Sequence, residues 1–267
     1  MERLRVRPGS RVRLSRVDPD DTSAFAGSKR AARKDSGRLI AQFDRLQELL
    51  YACHAGPVLV VLQGLDTAGK DGTIRHVFEG VNPQGVRVAR FQVPTPIEKD
   101  HDFLWRVHLE TPAKGEIVIF NRSHYEDVLA ARVDRLVPRR EWVRRYRAIN
   151  EFERNLHDEG TSVVKFFFYI SEDEQRRRLQ ERLDDPTKHW KFRPADLAER
   201  ARWPLYVPAI EEMLERTSTA WAPWFLVPSN KKWYRNWVVS KTLVEVLEHR
   251  QLTWPPLPPE ARSARIP

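Results

Sequence analysis

The chain has one cysteine, Cys53, in 267 residues. A lone thiol closes no intrachain disulfide, so a buried core rather than covalent staples has to hold the fold. No apolar run approaches the roughly 20 residues that span a bilayer. The basic N-terminus, MERLRVRPGSRVRLSRV, lacks the apolar stretch and small-residue cleavage site of a secretory signal. These absences point to a soluble, reducing, cytoplasmic setting away from membranes. An arginine-rich organelle transit segment stays open, because Met1–Arg16 has no acid after Glu2. No internal repeat is visible.

Acid is also in short supply: 46 Lys plus Arg face 37 Asp plus Glu, a formal net charge of +9. Such a chain expects an anionic partner. The basic side is mostly arginine, 35 Arg against 11 Lys. A planar guanidinium donates in a fixed fork that suits phosphate better than a hydrated ammonium does. Phosphate is the first suspect, with nucleotides and nucleic acid both open; general surface solubility is the competing explanation. With 41% hydrophobic residues the chain is long enough to bury one large core.

Residues 1–36 are polar, charged and without sustained periodicity, which predicts an irregular basic arm. From Gly37 to His54, Leu39, Ile40, Phe43, Leu46, Leu49 and Leu50 recur at spacings of three and four, the apolar face of a helix. Next comes Pro57–Gln63, a short β-rich apolar run without polar alternation, as expected of a parallel strand buried on both faces. Similar runs occur at Val86–Phe91, Glu116–Phe120, Val163–Ile170 and Trp224–Val227, with charged helical stretches between them. The alternation implies an α/β fold, a central parallel sheet flanked by helices in three layers. Residues 172–202 break the rhythm, being densely charged and interrupted by Pro186 and Pro194, and predict two short helices outside the core. Residues 254–267 are proline-rich and predict an extended tail. The main domain is thus expected over residues 37–253.

Directly after the first strand stands Gly64-Leu-Asp-Thr-Ala-Gly69-Lys70-Asp71-Gly72-Thr73. This is the G-x4-G-K spacing of a phosphate-binding loop, in which backbone N–H groups and a helix N-terminus surround phosphate while lysine reaches across it. Gly64, Ala68, Gly69, Lys70, Asp71 and Gly72 are the candidate phosphate contacts. An ordinary tight turn explains two glycines alone, but not glycines, lysine and flanking elements together. The position after the lysine is Asp71 instead of the usual Ser or Thr that ligates Mg²⁺. A carboxylate among phosphates repels them unless a divalent cation lies between, so Asp66 is expected to meet Mg²⁺. For Asp71 a helix-dipole role competes with a direct one.

The strand Glu116–Phe120 ends in Asn121-Arg122-Ser123-His124-Tyr125-Glu126-Asp127. In nucleotide-binding sheets the strand beside the phosphate loop commonly ends in an acid that helps hold the metal; here it ends in an amide. Glu126 and Asp127 are the nearest substitutes, with a solvated helix start as the competing reading, and Arg122 is the candidate to complete a phosphate clamp. For His124 and Tyr125, taken from their residue types alone, packing is the favoured reading.

Together, GLDTAGKDGT and FNRSHYEDVLAARV resemble the polyphosphate kinase 2 family, and the likeness runs roughly from Leu39 to Leu247. The resemblance implies a P-loop kinase-like fold with a helical lid, here residues 172–202, and a phosphoryl transfer between inorganic polyphosphate and nucleotides. It also implies that Asn121, Ser123 and Tyr125 serve the nucleotide, that Arg178 and Arg182 are lid arginines on the phosphates, and that the enzyme is a homo-oligomer, dimer or tetramer. FNRSHYEDVL looks like the version in members that accept both nucleoside mono- and diphosphates.

The expected activity is Mg²⁺-dependent transfer, with Mn²⁺ as a substitute ion, from polyphosphate to AMP or ADP, guanine nucleotides being a further possibility. Asp66, Lys70 and Arg122 carry the catalysis; Asp66, Glu126 and Asp127 hold the metal; Lys231 adds a cation to the phosphate site. The seven basic residues between Arg176 and Arg193 suit a polyanion groove, against the alternative of a solvated charged helix. Two rivals stand beside this: an ATP-dependent nucleotide kinase of the thymidylate-kinase-like type, and a basic nucleic-acid-binding NTPase. No recognised nucleic-acid module supports the second.

Overall fold

Strands and helices alternate in the computed structural model, which describes residues 1–262 and 264–265. The strands are β1 (Val58–Gln63), β2 (Val86–Arg90), β3 (Ile117–Asn121), β4 (Ser162–Tyr169) and β5 (Trp224–Pro228). The helices are α1 (Lys29–Ala52), α2 (Lys70–Val77), α3 (Pro96–Lys99), α4 (Trp105–His108), α5 (Ala130–Val133), α6 (Arg139–Asp158), α7 (Glu172–Asp184), α8 (Ala195–Ala201), α9 (Trp203–Thr217) and α10 (Lys232–Glu248). All strand pairs are parallel and the order is β2-β3-β1-β4-β5, so β1 lies at the centre.

Side chains of β1 divide by parity because successive strand residues point to opposite faces. Leu59 and Val61 join Val118, Phe120, Val163 and Phe167 under α6 and α9. Val58, Val60 and Leu62 join Ile117, Ile119, Phe166 and Phe168 under α1 and α10. Both faces are therefore dry, which is why β1 shows no polar alternation. Emptying such a site, as in Leu62→Ala, typically costs about 2–5 kcal/mol.

Three expectations need correction. The first long helix starts at Lys29, not Gly37, because Ser28 caps it by accepting a hydrogen bond from the Ala31 N–H at 3.2 Å. Charge hides that first stretch, yet Ala32 and Ser36 are buried. The irregular N-terminal arm, expected ahead of the core, contributes to it: Val6, Val12 and Leu14 enter the core, and the Val6 N–H donates to the Trp224 carbonyl at 2.8 Å. Finally, β2 is an edge strand with Arg87, Val88 and Arg90 exposed, not a doubly buried one. Short helices do fill residues 172–202, α7 and α8 joined by a 3-10 turn at Pro186–Lys191. The proline-rich end has one 3-10 turn at Pro259–Ala261; residues 263, 266 and 267 of that expected tail lie outside the described residues.

Candidate active site

The centre of the sheet ends in the glycine loop. At Gly64 the backbone runs so close to β4 that an added Cβ would sit 2.8 Å from the Phe168 carbonyl oxygen. Gly69 has φ +107° and caps α2 from the left-handed region, where a side chain is strained. The loop's Thr67 also has positive φ, 63°. These turns aim the first N–H groups of α2, from Lys70, Asp71 and Gly72, at one point, the arrangement that binds anions. Lys70 folds back over the loop, donating to the Gly64 carbonyl at 2.6 Å. Burial, reinforced by the Arg122 charge, brings its pKa down to about 8.

Two guanidinium groups hold the loop from behind. Arg178 of α7 donates to the carbonyls of Thr67 (2.8 Å), Ala68 (3.2 Å), Ser229 (2.7 Å) and Asn230 (3.1 Å). Arg235 of α10 donates to the Ala68 carbonyl at 3.0 Å and to Asn236. Any Cβ on Gly69 would meet the Arg235 Nη1 at 1.7 Å, so glycine is required there twice over. Arg178 is buried by these bonds, which corrects the picture of a lid arginine open to a polyanion. Arg182, one turn on, is the one that reaches the loop's carboxylate: it grips Asp66 with two bonds of 2.8 and 3.3 Å and also contacts Asp196 at 3.3 Å.

At the neighbouring strand end, Arg122 has φ 63°, a left-handed conformation that costs a non-glycine residue about 1–2 kcal/mol. Its guanidinium lies 3.9 Å from Glu126, whose other oxygen accepts from Gln63 of β1 at 3.2 Å. Glu126 is the first cause of a raised Arg122 pKa, so that cation is secure at any working pH. Asn121 donates to Asp71 at 2.6 Å, tying the two motifs together. The remaining expectations here are corrected by burial. Ser123 caps the next turn, and Tyr125 is fully enclosed with its hydroxyl donating to Glu153 at 2.6 Å. Lys165 of β4 completes that buried group, donating to Glu153 at 2.5 Å, the Tyr125 hydroxyl at 2.7 Å and the Thr217 carbonyl at 2.7 Å. His124 contacts Glu153 at 3.3 Å. Neither Ser123 nor Tyr125 offers surface to a nucleotide.

Gln63, Gly64, Asp66, Arg122 and Glu126 line one cleft, whose other wall is Gln175 of α7, Glu199 of α8 and Trp203 and Tyr206 of α9. Glu199 and Tyr206 carried no sequence signal; burial raises the pKa of both. The enclosed space is about 40 Å³, far below the several hundred typical of a bound small molecule. The α7–α9 wall is thus closed on the loop, with Arg182 and Asp66 as the latch. Lys231 stands outside the cleft, exposed and paired to Asp20 at 2.8 Å.

Divalent cations such as Mg²⁺ take one or two carboxylates and complete their shell with phosphate oxygens and water. Asp66 and Glu126, both lining the cleft, suit that donor set. Asp127 does not: it lies between Arg106 at 3.6 Å and Arg145 at 3.4 Å, away from the cleft lining. Among the described residues no group of three or more His, Cys, Asp or Glu could hold a metal by itself.

A parallel sheet whose central strand delivers a glycine loop and lysine to a helix N-terminus defines a P-loop kinase-like phosphotransferase. The chain belongs to the polyphosphate kinase 2 family, whose sequence model matches residues 26–254. It is 58% identical to the AMP/ADP-polyphosphate phosphotransferase of Meiothermus ruber over 266 residues, covering 100% of this chain and 99% of that one. The ADP-polyphosphate phosphotransferase of Rhodopseudomonas palustris is 40% identical over 274 residues, covering 98% and 94%. The crystal structure of polyphosphate kinase 2 from Arthrobacter aurescens TC1 superposes with a TM-score of 0.91 at 45% identity, covering 94% of this chain and 90% of that one.

Proposed function

We propose that the chain transfers the terminal phosphoryl group of inorganic polyphosphate to AMP and to ADP, giving ADP and ATP. The observation that carries this is the Lys70 loop at the end of β1, with Arg122 lining the same cleft as the loop and Arg182 of α7 bonded to the loop's Asp66. The 58% identity to an AMP/ADP-polyphosphate phosphotransferase supports acceptance of both nucleotides. In the reaction an oxygen of the acceptor's terminal phosphate bonds to the end phosphorus of the chain. The bond from that phosphorus to the bridging oxygen breaks, and a polyphosphate one unit shorter leaves as the anion. An ionised phosphate acceptor has no proton to lose, so no general base is needed.

Positioning and electrostatics then supply the catalysis, because the transition state is loose and its charge is spread over oxygens. Lys70 leaves the Gly64 carbonyl to meet the phosphates, and Arg122 neutralises charge on the transferred group. Asp66, released from Arg182, would hold Mg²⁺ with Glu126, and Arg182 turns to the substrate. When bound, Mg²⁺ neutralises phosphate charge and fixes the donor and acceptor in line. Reclosure of α7–α9 excludes water, whose attack would waste the phosphoryl group. A guanine nucleotide, a dimeric or tetrameric state and a cytoplasmic location belong to the same proposal; no described helix is long and apolar enough to cross a membrane. The test supplies polyphosphate as sole donor against AMP, ADP, GMP and GDP. ATP must form from ADP; formation only when another nucleoside triphosphate is added would refute the reading.

A further inference from the structure

The N-terminal segment alternates in two short stretches, Leu4 and Val6, then Val12 and Leu14, all buried. Alternation sends Arg3, Arg5 and Arg7, then Arg11 and Arg13, to the other side. Between the stretches the chain turns at Gly9, φ +74°, with the Ser10 N–H donating to the Arg7 carbonyl at 3.1 Å. The turn folds one row of arginines against the other. With Arg16 they surround a cavity of about 650 Å³ floored by Leu226 of β5.

Six guanidinium groups and one carboxylate, Glu2, line that space, a formal +5. Arg3, Arg5 and Arg13 have acidic neighbours in Asp21, Glu2, Glu211 and Glu215. Arg7, Arg11 and Arg16 have no salt bridge among the described residues, and all three are exposed. Gathering like charges costs stability. The fold nevertheless fixes them: the Val12 and Leu14 N–H groups donate to Glu215 and Glu211 at 2.8 Å, and Ser218 donates to the Val6 carbonyl.

The cavity is also close to the phosphate loop. From Leu226 to Asn230 the chain advances four residues, at most about 14 Å even when fully extended. The Asn230 carbonyl there accepts from Arg178, which itself bonds to Thr67 of the loop. We propose that this arginine cavity is a second docking site for polyphosphate, holding the distal part of a chain whose end lies at the Lys70 loop. The inference rests on the proposed donor. A bare phosphate chain needs only cationic donors spaced along it, and forked guanidinium groups supply them. Single-stranded nucleic acid is bound with aromatic stacking platforms, and this cavity has none in its lining.

The test is a triple variant of the full chain, Arg7→Gln, Arg11→Gln and Arg16→Gln, which removes unpaired surface charges and leaves the buried Leu4, Val6, Val12 and Leu14 intact. Calorimetric binding of long-chain polyphosphate is expected to weaken by tenfold or more. The slope of log affinity against log salt should flatten by roughly 2, since each lost contact to a single strand removes about 0.7. Tripolyphosphate, too short to span both sites, should bind as before, and the KM for ADP should not move. Equal weakening for long and short phosphates, or none for either, overturns the proposal. Preferential displacement of long polyphosphate by single-stranded RNA overturns it in favour of nucleic acid. The Lys70→Ala variant separates the two readings: it should lose transfer yet keep the long-chain binding that the arginine changes weaken. Absence of transfer from polyphosphate in the unaltered enzyme, with long-chain binding retained, would count against the donor assignment and not against the site.

Discussion

Replacing Lys165 by Met should be among the most damaging single changes in this protein. Lys165, Glu153, Tyr125 and His124 are all fully buried. Burial works against the Glu153 carboxylate, but Lys165 and His124 outweigh it and hold its pKa below the ordinary value. Remove the ammonium, and Glu153 keeps one short bond from Tyr125 and a longer one from His124 while losing its counter-charge. Breaking a buried pair from one side costs about 3–5 kcal/mol. An unfolding entropy near 2.1 cal/mol/K per residue over 267 residues amounts to about 0.6 kcal/mol/K, so Tm should fall by about 5–9 °C. The double variant Lys165→Met with Glu153→Gln keeps an acceptor for Tyr125 and His124 without a charge. It should recover most of the loss. Urea midpoints and thermal melts of the two singles and the double form the cycle. A single-variant cost under about 1 kcal/mol, or strictly additive losses, would refute the view that this pair pins the turn carrying Arg122 and Glu126 to β4.

Two further outcomes follow from the loop. The Lys70 ammonium has a pKa of about 8 and phosphate binds its protonated form, so affinity is intact below that pH and lost as pH rises through it. The kcat/KM for polyphosphate should fall toward tenfold per unit above about pH 8, while Lys70→Arg, slower throughout, should show no such decline; equal declines would exclude Lys70 as the titrating group. Gly69→Ala should destabilise the protein and abolish transfer, because φ is +107° and the new methyl overlaps Arg235. Gly72→Ala, whose Cβ would meet Arg235 only at 3.6 Å, should raise stability by about 0.5–1 kcal/mol in denaturant melts.

Much of the architecture was legible in the chain because strand periodicity and glycine spacing are local signals. β1, the loop, α2 and the parallel alternation all follow from short windows. What escaped depends on distant partners. Arg235 is one of several charged residues of its helix and acquires meaning only where α10 passes behind Gly69. Glu199 and Tyr206 reach the cleft through the path of α7–α9, and a charged segment with two prolines does not encode that path. Lys165 reads as an interruption of an apolar strand until Glu153 is placed beside it. In Arg178 a family likeness pointed to a phosphate ligand, whereas its bonds to four carbonyl oxygens make it a brace for the loop.

The two edges of the sheet are finished by different means. At β2 the outer strand carries exposed Arg87 and Arg90, and repulsion between such rows opposes pairing with a second copy. At β5 the N-terminal segment bridges Phe225 through Arg5 and occupies the Trp224 carbonyl, so the start of that edge is already engaged. The same few residues that gather the arginines therefore act as a guard against sheet-to-sheet aggregation.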